Sequence, residues 1–225
     1  MNSITVRHLT KRFGDQVVIS DLSFSVPKGE RVAIYAPSGS GKTTLLHILA
    51  KLQKPDSGSI WVDAPRPAII FQEPRLLPHL TVEENIFLPF RVQKRPLTEQ
   101  VWHDYETWLE ICELGGFRRH YPRQLSGGMR QKAALIRGFL QKPSLVMLDE
   151  PFQSIGQTSK KEIIRHLLTT NPALSMLLVT HDLEEVQLLA HISLYFQSNY
   201  LSKYRTVETN EPAFTLQNVE NIFLN

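Results

Sequence analysis

Ala36-Pro37-Ser38-Gly39-Ser40-Gly41-Lys42-Thr43-Thr44 separates two segments of different character. Before it stands Arg31-Val32-Ala33-Ile34-Tyr35, which reads as a strand. After it comes Thr44-Leu45-Leu46-His47-Ile48-Leu49-Ala50, which reads as a helix. A strand, a small-residue loop closing on Gly-Lys-Thr and then a helix is the setting of a phosphate-binding P-loop. Gly39 and Gly41 allow the backbone close to a phosphate and open dihedrals that bulkier residues avoid. The loop N–H groups then form an anion nest at a helix N-terminus, where the helix dipole adds its own attraction. Lys42 is placed to reach the β- and γ-phosphates, and the Thr43 hydroxyl to ligate Mg²⁺. Ser38, Ser40 and Thr44 complete the predicted contact run. Such loops usually open on glycine. Here the position is Ala36, which precedes Pro37 and is therefore steered into the extended region that alanine tolerates.

The chain has 225 residues, 42% of them hydrophobic, enough for one sizeable core with a smaller subdomain. A net charge of +3, with both signs scattered, gives no reason to expect nucleic acid. Cys112 is the only cysteine, which fits a reducing compartment. The first residues lack the apolar core of a secretion signal. No apolar run is long enough to span a bilayer, so any work at a membrane is expected to go through partners.

Alternation predicts strands over Ile4–Leu9 and Leu22–Val26, and strand-like runs recur at Gly58–Val62 and Pro67–Phe71. Thr81-Val82-Glu83-Glu84 is a capping box opening a helix to about Leu88. Further helices are expected over about Thr98–Glu113, from the Ser126 region to Gln141, and near residues 158–169. Leu145-Val146-Met147-Leu148 and Leu174–Val179 are continuously apolar, the mark of strands buried on both faces. Asp182-Leu183-Glu184-Glu185 is expected to cap the next helix. Strands alternating with helices predict an α/β fold with a mainly parallel sheet, which binds ligands at the carboxyl ends of its strands. The P-loop, Asp149-Glu150 and His181 all fall at such ends.

Asp149 can hold Mg²⁺ directly or through water, as the acidic half of a P-loop site. Glu150, one residue on, can take a proton from an attacking water. A charged turn is the competing reading for Asp-Glu-Pro, and the upstream P-loop decides against it. His181 can contact the γ-phosphate or that water, or merely neighbour a helix cap. His103, His120 and His166 lack such a setting and are expected to be solvated. Phe13 is either a packing residue at a turn or a platform for an adenine base. Ser126 is a good N-cap, and Gly127 and Gly128 leave bare N–H groups at a second helix start, a second anion-binding end.

Together the set resembles the ATP-binding subunit of ABC transporters. The motifs are the P-loop, Gln72, Leu125-Ser126-Gly127-Gly128-Met129-Arg130-Gln131, Leu145–Glu150 and His181, in that order and spanning roughly residues 2–196. Phe71-Gln72-Glu73-Pro74-Arg75-Leu76-Leu77-Pro78 is similar to importers of the nitrate, sulfonate and taurine type. The resemblance implies a P-loop NTPase core over 2–80 and 140–196, including a small, trimmed antiparallel β subdomain. It implies a helical subdomain over 81–139 within a single domain; the tail over 197–225 is unread. It implies ATP and Mg²⁺ as ligands. Phe13 would stack on adenine, Glu150 would be the base, and Gln72 would sense Mg²⁺ and water. Ser126, Gly127 and Gly128 would close on the γ-phosphate held by a second copy. Membrane permease subunits would dock near Gln72–Leu80, at the cytoplasmic face of a bacterial membrane, with a solute-binding protein further out.

Besides Ala36, two features depart from the family pattern. Phe152-Gln153-Ser154-Ile155-Gly156 stands where Ser-Ala-Leu-Asp usually follows, so Gly156 lacks the aspartate that meets a partner's P-loop, and glycine is expected to loosen that loop. The interval from Lys42 to Gln72 is also short, with Pro65 and Pro67 in place of a hairpin. A weakly hydrolysing regulatory subunit and a soluble ABC ATPase unconnected to transport are the competing readings. The second usually needs a duplicated cassette or a coiled-coil insertion, and neither is present.

Overall fold

The computed structural model describes residues 1–208. The residues divide into two compact units. The first comprises Met1–Pro67, Ser144–Glu150 and the chain from Ala173 on; the second comprises Ala68–Pro143 and Pro151–Pro172.

The first unit begins with two long antiparallel strands, β1 (Asn2–Phe13) and β2 (Gln16–Pro27), joined at Gly14-Asp15. After β3 (Arg31–Tyr35) and α1 (Lys42–Leu49), β4 (Ser57–Val62) pairs with the free edge of β1. Ile4 and Val6 are buried at alternate positions, and a register shift between Val6 and Leu9 returns Leu9 to the buried face. The mainly parallel sheet runs β6 (Leu145–Asp149), β7 (Ser175–Thr180), β3, β8 (Ile192–Tyr195), with β9 (Arg205–Glu208) antiparallel at the end. Every residue of β6 and β7 is buried, as their unbroken apolar runs predict. Register sets Asp149 beside Val179 and Tyr35 beside Thr180, so β3, β6 and β7 end together. Ser175 links the two sheets: its hydroxyl accepts from Ser3 Oγ and from Gly29 N, both at 2.8 Å.

In the second unit the short strand β5 (Ala68–Ile70) precedes four helices: α2 (Val82–Val92), α3 (Glu99–Ile111), α4 (Gly127–Phe139) and α5 (Gln157–Thr170). Their core is aromatic. Phe87 lies 4.7 Å from both Trp102 and Tyr105, and Trp108 stacks on Phe139 at 5.6 Å. Cys112 is buried in the same unit, and burial pushes its thiol up to about 12, so it behaves as an inert core residue.

Several expectations need correction. The helix predicted to stop near Leu88 continues to Val92 with Pro89 inside it. Its capping box forms as predicted, and burial of Ile86, Phe87 and Phe90 outweighs the bond lost at proline. α6 (Leu183–Leu189) is capped by Asp182 as expected, while Glu185 accepts from the Thr180 hydroxyl at 2.8 Å. His166 is half-buried, edge-on to Trp108 at 4.5 Å, and burial lowers its pKa; it is not a solvated residue. In the tail, Arg205–Glu208 form β9, and residues 209–225 lie outside the described residues.

Candidate active site

The P-loop leaves β3 through Ala36, which is fully buried. Gly39 and Gly41 take left-handed dihedrals, with φ of +77° and +99°. Gly41 carries a second constraint. A Cβ there would lie 2.4 Å from Val18 Cγ1 and 2.9 Å from the Val18 carbonyl, so β2 presses on the loop from behind. Gly41 is the N-cap of α1, and no side chain caps that helix start. Its first-turn N–H groups therefore have no side-chain acceptor from the cap, and the first turn carries no acidic residue.

Lys42 is only 5% exposed. Its ammonium donates to the Ala36 and Pro37 carbonyls at 2.9 and 3.0 Å, across the mouth of its own loop. It also lies 3.4 Å from Glu150 Oε1. His181 Nδ1 approaches the same oxygen at 3.0 Å. One carboxylate oxygen thus faces two nitrogens from two other strand ends. Glu150 itself sits at φ +43°, a left-handed conformation that a non-glycine residue adopts at a cost, and its N–H donates to Val179 O at 2.9 Å. That strain aims the side chain back toward Lys42.

Asp149 precedes it at the end of β6 and is 1% exposed. Both carboxylate oxygens are buried without a hydrogen-bond partner among the described residues. Burial pushes its pKa up; the adjacent Thr43 hydroxyl opposes this, Glu150 adds to the rise, and Lys42 and His47 oppose it. A buried, unpaired carboxylate is costly in a low-dielectric site unless a cation meets it. Asp149 with the neighbouring Thr43 hydroxyl is an oxygen donor set suited to a hard divalent ion such as Mg²⁺. Ser40 Oγ is likewise buried without a partner in the loop.

The first unit therefore brings together the P-loop, Asp149, Glu150 and His181. Phe13 lies at the turn between β1 and β2, the strand that also carries Val18. It is 49% exposed, with Lys11 Nζ 5.4 Å from the ring centroid.

Gln72 and the Ser126–Gly128 stretch belong to the second unit. Ser126 is the N-cap of α4 and accepts from Met129 N at 3.2 Å. Gly127 meets only Arg130 Nη2, 4.0 Å from where a Cβ would stand. Gly128 is crowded: a Cβ there would sit 2.5 Å from the Ser154 carbonyl. Gly156 is the N-cap of α5 with φ −64° and ψ 150°, dihedrals open to any residue, and nothing lies within 4 Å of its missing Cβ. The backbone at this position therefore does not require glycine.

Sequence reasoning missed the backbone of Glu150 and gave no role to Asn85 and Gln131, which organise these loops. Glu150's left-handed backbone carries no signal in a one-dimensional reading. Asn85 ties down the proline-broken loop, donating to the carbonyls of Leu77, Leu80 and Thr81 and accepting from Leu77 N. Gln131 is 3% exposed and donates to the Pro151 carbonyl at 3.0 Å. Its spacing from Leu135 and Gly138, one face of a helix, marks it as a polar residue on a buried stripe.

Comparison with known proteins places this geometry. The family model described as "ABC transporter" matches residues 19–153. The sulfate/thiosulfate import ATP-binding protein CysA of Bacillus cereus is 37% identical over 198 residues, which cover 81% of this chain and 56% of that protein. The aliphatic sulfonates import ATP-binding protein SsuB of Bacillus thuringiensis subsp. konkukian is 33% identical over 213 residues, 91% of this chain and 83% of that protein. The match thus spans little more than half the length of the first relative and most of the second. Among solved structures, a dimeric bacterial ABC transporter cassette superposes with a TM-score of 0.80 at 25% identity, covering 92% of this chain and 99% of that one. An ATP-binding subunit of an ABC transporter gives 0.79 at 25% identity, covering 91% and 90%.

Proposed function

This chain belongs to the ABC transporter family, and from that premise we propose that it binds and hydrolyses ATP to drive solute import through separate membrane subunits. The carrying observation is the convergence of Lys42, Asp149, Glu150 and His181 at three neighbouring strand ends, with Asp149 buried and unpaired. We read the chain as a single cassette domain made of a nucleotide-binding core and a helical subdomain.

In this reading the N–H groups of Gly39 to Thr44 cradle the phosphates, with Ser38 and Ser40 completing the loop. Lys42 exchanges its two carbonyl partners for phosphate oxygens, a charge-assisted exchange that favours the ligand. Thr43 and Asp149 would hold Mg²⁺, which when bound neutralises charge developing on the transferred phosphoryl group, and the family resemblance adds Gln72 as its sensor. Glu150 takes the proton from a water as its oxygen bonds to the γ-phosphorus and the bond to ADP breaks. His181, against the same Glu150 oxygen, orients that base and reaches the γ-phosphate. Phe13, exposed at its hairpin tip, stacks on adenine.

The Ser126–Gly128 stretch of a second copy completes each site, so two chains close head to tail around two ATP molecules. The segment Gln72–Leu80, held by Asn85, is the docking region for the permease. The relatives' names supply the solute class, sulfur oxyanions and sulfonates, as the first substrates to try. No described helix is long and apolar enough to cross a membrane, which fits attachment through partners.

The test is Mg²⁺-dependent ATP hydrolysis by the purified chain with and without its co-expressed permease. Glu150→Gln should cost about 10²–10⁴-fold in rate while ATP is still bound. It should also trap an ATP-dependent dimer in light scattering. A Glu150→Gln protein that hydrolyses at the parent rate would overturn the assignment.

A further inference from the structure

The P-loop is held at both ends by one segment of its own unit. Where the loop begins, the Tyr35 carbonyl accepts from Phe196 N at 2.9 Å, just past the β3–β8 ladder. Where it ends, Gly41 lies against Val18, whose Cγ1 and carbonyl oxygen would stand 2.4 and 2.9 Å from a Cβ there. That same Val18 carbonyl accepts from Leu201 N at 3.0 Å, and Ser20 N donates to Leu201 O at 2.8 Å. The chain from Phe196 to Leu201 thus runs from the strand that delivers the loop to the strand that backs it.

Both anchors are firm. Phe196 and Leu201 are fully buried, while Gln197, Asn199 and Tyr200 between them are exposed. Leu201 forms a parallel bridge opposite Ile19, on the edge of β2 that β1 leaves open. Beyond it, the Tyr204 hydroxyl donates to Ser23 O at 2.7 Å and its ring lies 5.3 Å from that of Phe196. β9 then returns to pair with β8. Each tie alone is an ordinary hydrogen bond or ring contact. Together they mean that β2 cannot move off Gly41 without releasing Leu201. Gly41 is the left-handed cap from which the first N–H groups of α1 are aimed. A loop already held in that shape has less order to acquire when an anion binds, so it binds more tightly.

We propose that Phe196–Leu201 is a strap that pre-shapes the phosphate loop, with Leu201 a positioning residue that acts through Val18 on Gly41. Coupling of this kind is reciprocal, so nucleotide in the loop must in turn tighten the strap. This rests on the reading of Ala36–Thr44 as the nucleotide phosphate site. It gives a role in ATP binding to a stretch that lies outside every nucleotide motif of the chain.

The test uses the full chain and ADP with Mg²⁺. In the parent chain, bound ADP should slow hydrogen exchange at the Ser20 and Leu201 amides about fivefold. The amides that pair β4 with β1, on the opposite edge of that sheet, should change little. This measurement needs no variant, so it decides the matter even where a variant does not fold. Leu201→Ala should weaken ADP about five- to tenfold at a temperature where circular dichroism shows a folded chain. In hydrolysis the loss should fall on KM for ATP rather than on kcat. Leu201→Met keeps the volume and should restore the parent affinity. In a Val18→Ala background the side-chain contact to Gly41 is already gone, and Leu201→Ala should weaken ADP by less than about twofold further. Equal slowing of exchange in β4 and in the strap, or parent-like ADP affinity of folded Leu201→Ala, would overturn the strap and leave the phosphate site standing. Fully additive losses in the double variant would show two independent effects and also overturn it. A parent chain that binds no ADP would instead remove the premise, and the proposal with it.

Discussion

Glycine stands at the start of both α1 and α4, as the cap of one and the first residues of the other, and the two starts are built differently. At α1 the cap is Gly41, left-handed at φ +99°, pressed by Val18, and supplying no side chain to the first turn. At α4 the cap is Ser126, extended, already bonded to Met129 N, and the crowded glycine is Gly128, which has ordinary helical dihedrals. Each start has a buried oxygen without a partner in its own unit. At α1 it belongs to Asp149, a charge; at α4 it belongs to Gln131, a neutral amide. The first end is thus suited to a polyanion and its cation together. The second holds one N–H fewer and no charge, as suits a surface that closes on a ligand held elsewhere. A glycine can serve backbone conformation in one motif and interior space in another, and only the second is cured by making room.

The sharpest way to break this comparison is at Gly41. Gly41→Ala meets both a left-handed penalty and a clash with β2, so nucleotide affinity should fall on the order of a hundredfold. Titration with a fluorescent ATP analogue would measure it, and parent-like affinity would refute the double constraint. Gly128→Ala meets only the clash with Ser154 O. It should cost about 1–3 kcal/mol in urea unfolding while leaving nucleotide affinity of the single chain near the parent value. A loss of affinity there would mean the two starts are not separable.

Asp149 tests the charge side. Its carboxyl keeps a proton to higher pH in the folded chain than in the unfolded one, because it is buried. Between those two values the native state binds more protons, so stability declines as pH rises through that window. Asp149→Asn should abolish this slope and, at neutral pH, raise stability by about 1–2 kcal/mol while eliminating metal-dependent hydrolysis. Denaturation midpoints at pH 4 and pH 7 would show it; an unchanged slope would place the titration elsewhere.

The smallest effect is expected at Gly156. Gly156→Asp fits without contact and adds a capping acceptor to α5, for a few tenths of a kcal/mol in thermal unfolding. If this position limits contact between two copies, ATP turnover should also rise; an unchanged or slower rate would count against that reading.

Much of this was legible in one dimension because the signals are local. The Gly-Lys-Thr run, the apolar strands ending in Asp149 and Thr180, and the Thr81 and Ser126 caps each state their conformation within a few residues. The parallel alternation then brings the strand ends together by topology alone. What stayed hidden depends on residues distant in sequence. Val18 against Gly41, Ser154 against Gly128, Gln131 against Phe71 and Pro151, and Glu185 turning to Thr180 leave no trace in spacing.

By itself, then, the sequence determined the order of elements, the phosphate loop and the residue types that meet phosphate, metal and water. Those follow from backbone preferences and side-chain chemistry, which act over a turn or a strand. Only the tertiary structure decided that Glu150 is bent left-handed onto Lys42 and His181, that Asp149's carboxylate lies buried without a partner, and that Gln72 meets Gln153. Each of these is a matter of close packing and lost solvent, which only chain segments brought together by folding can impose.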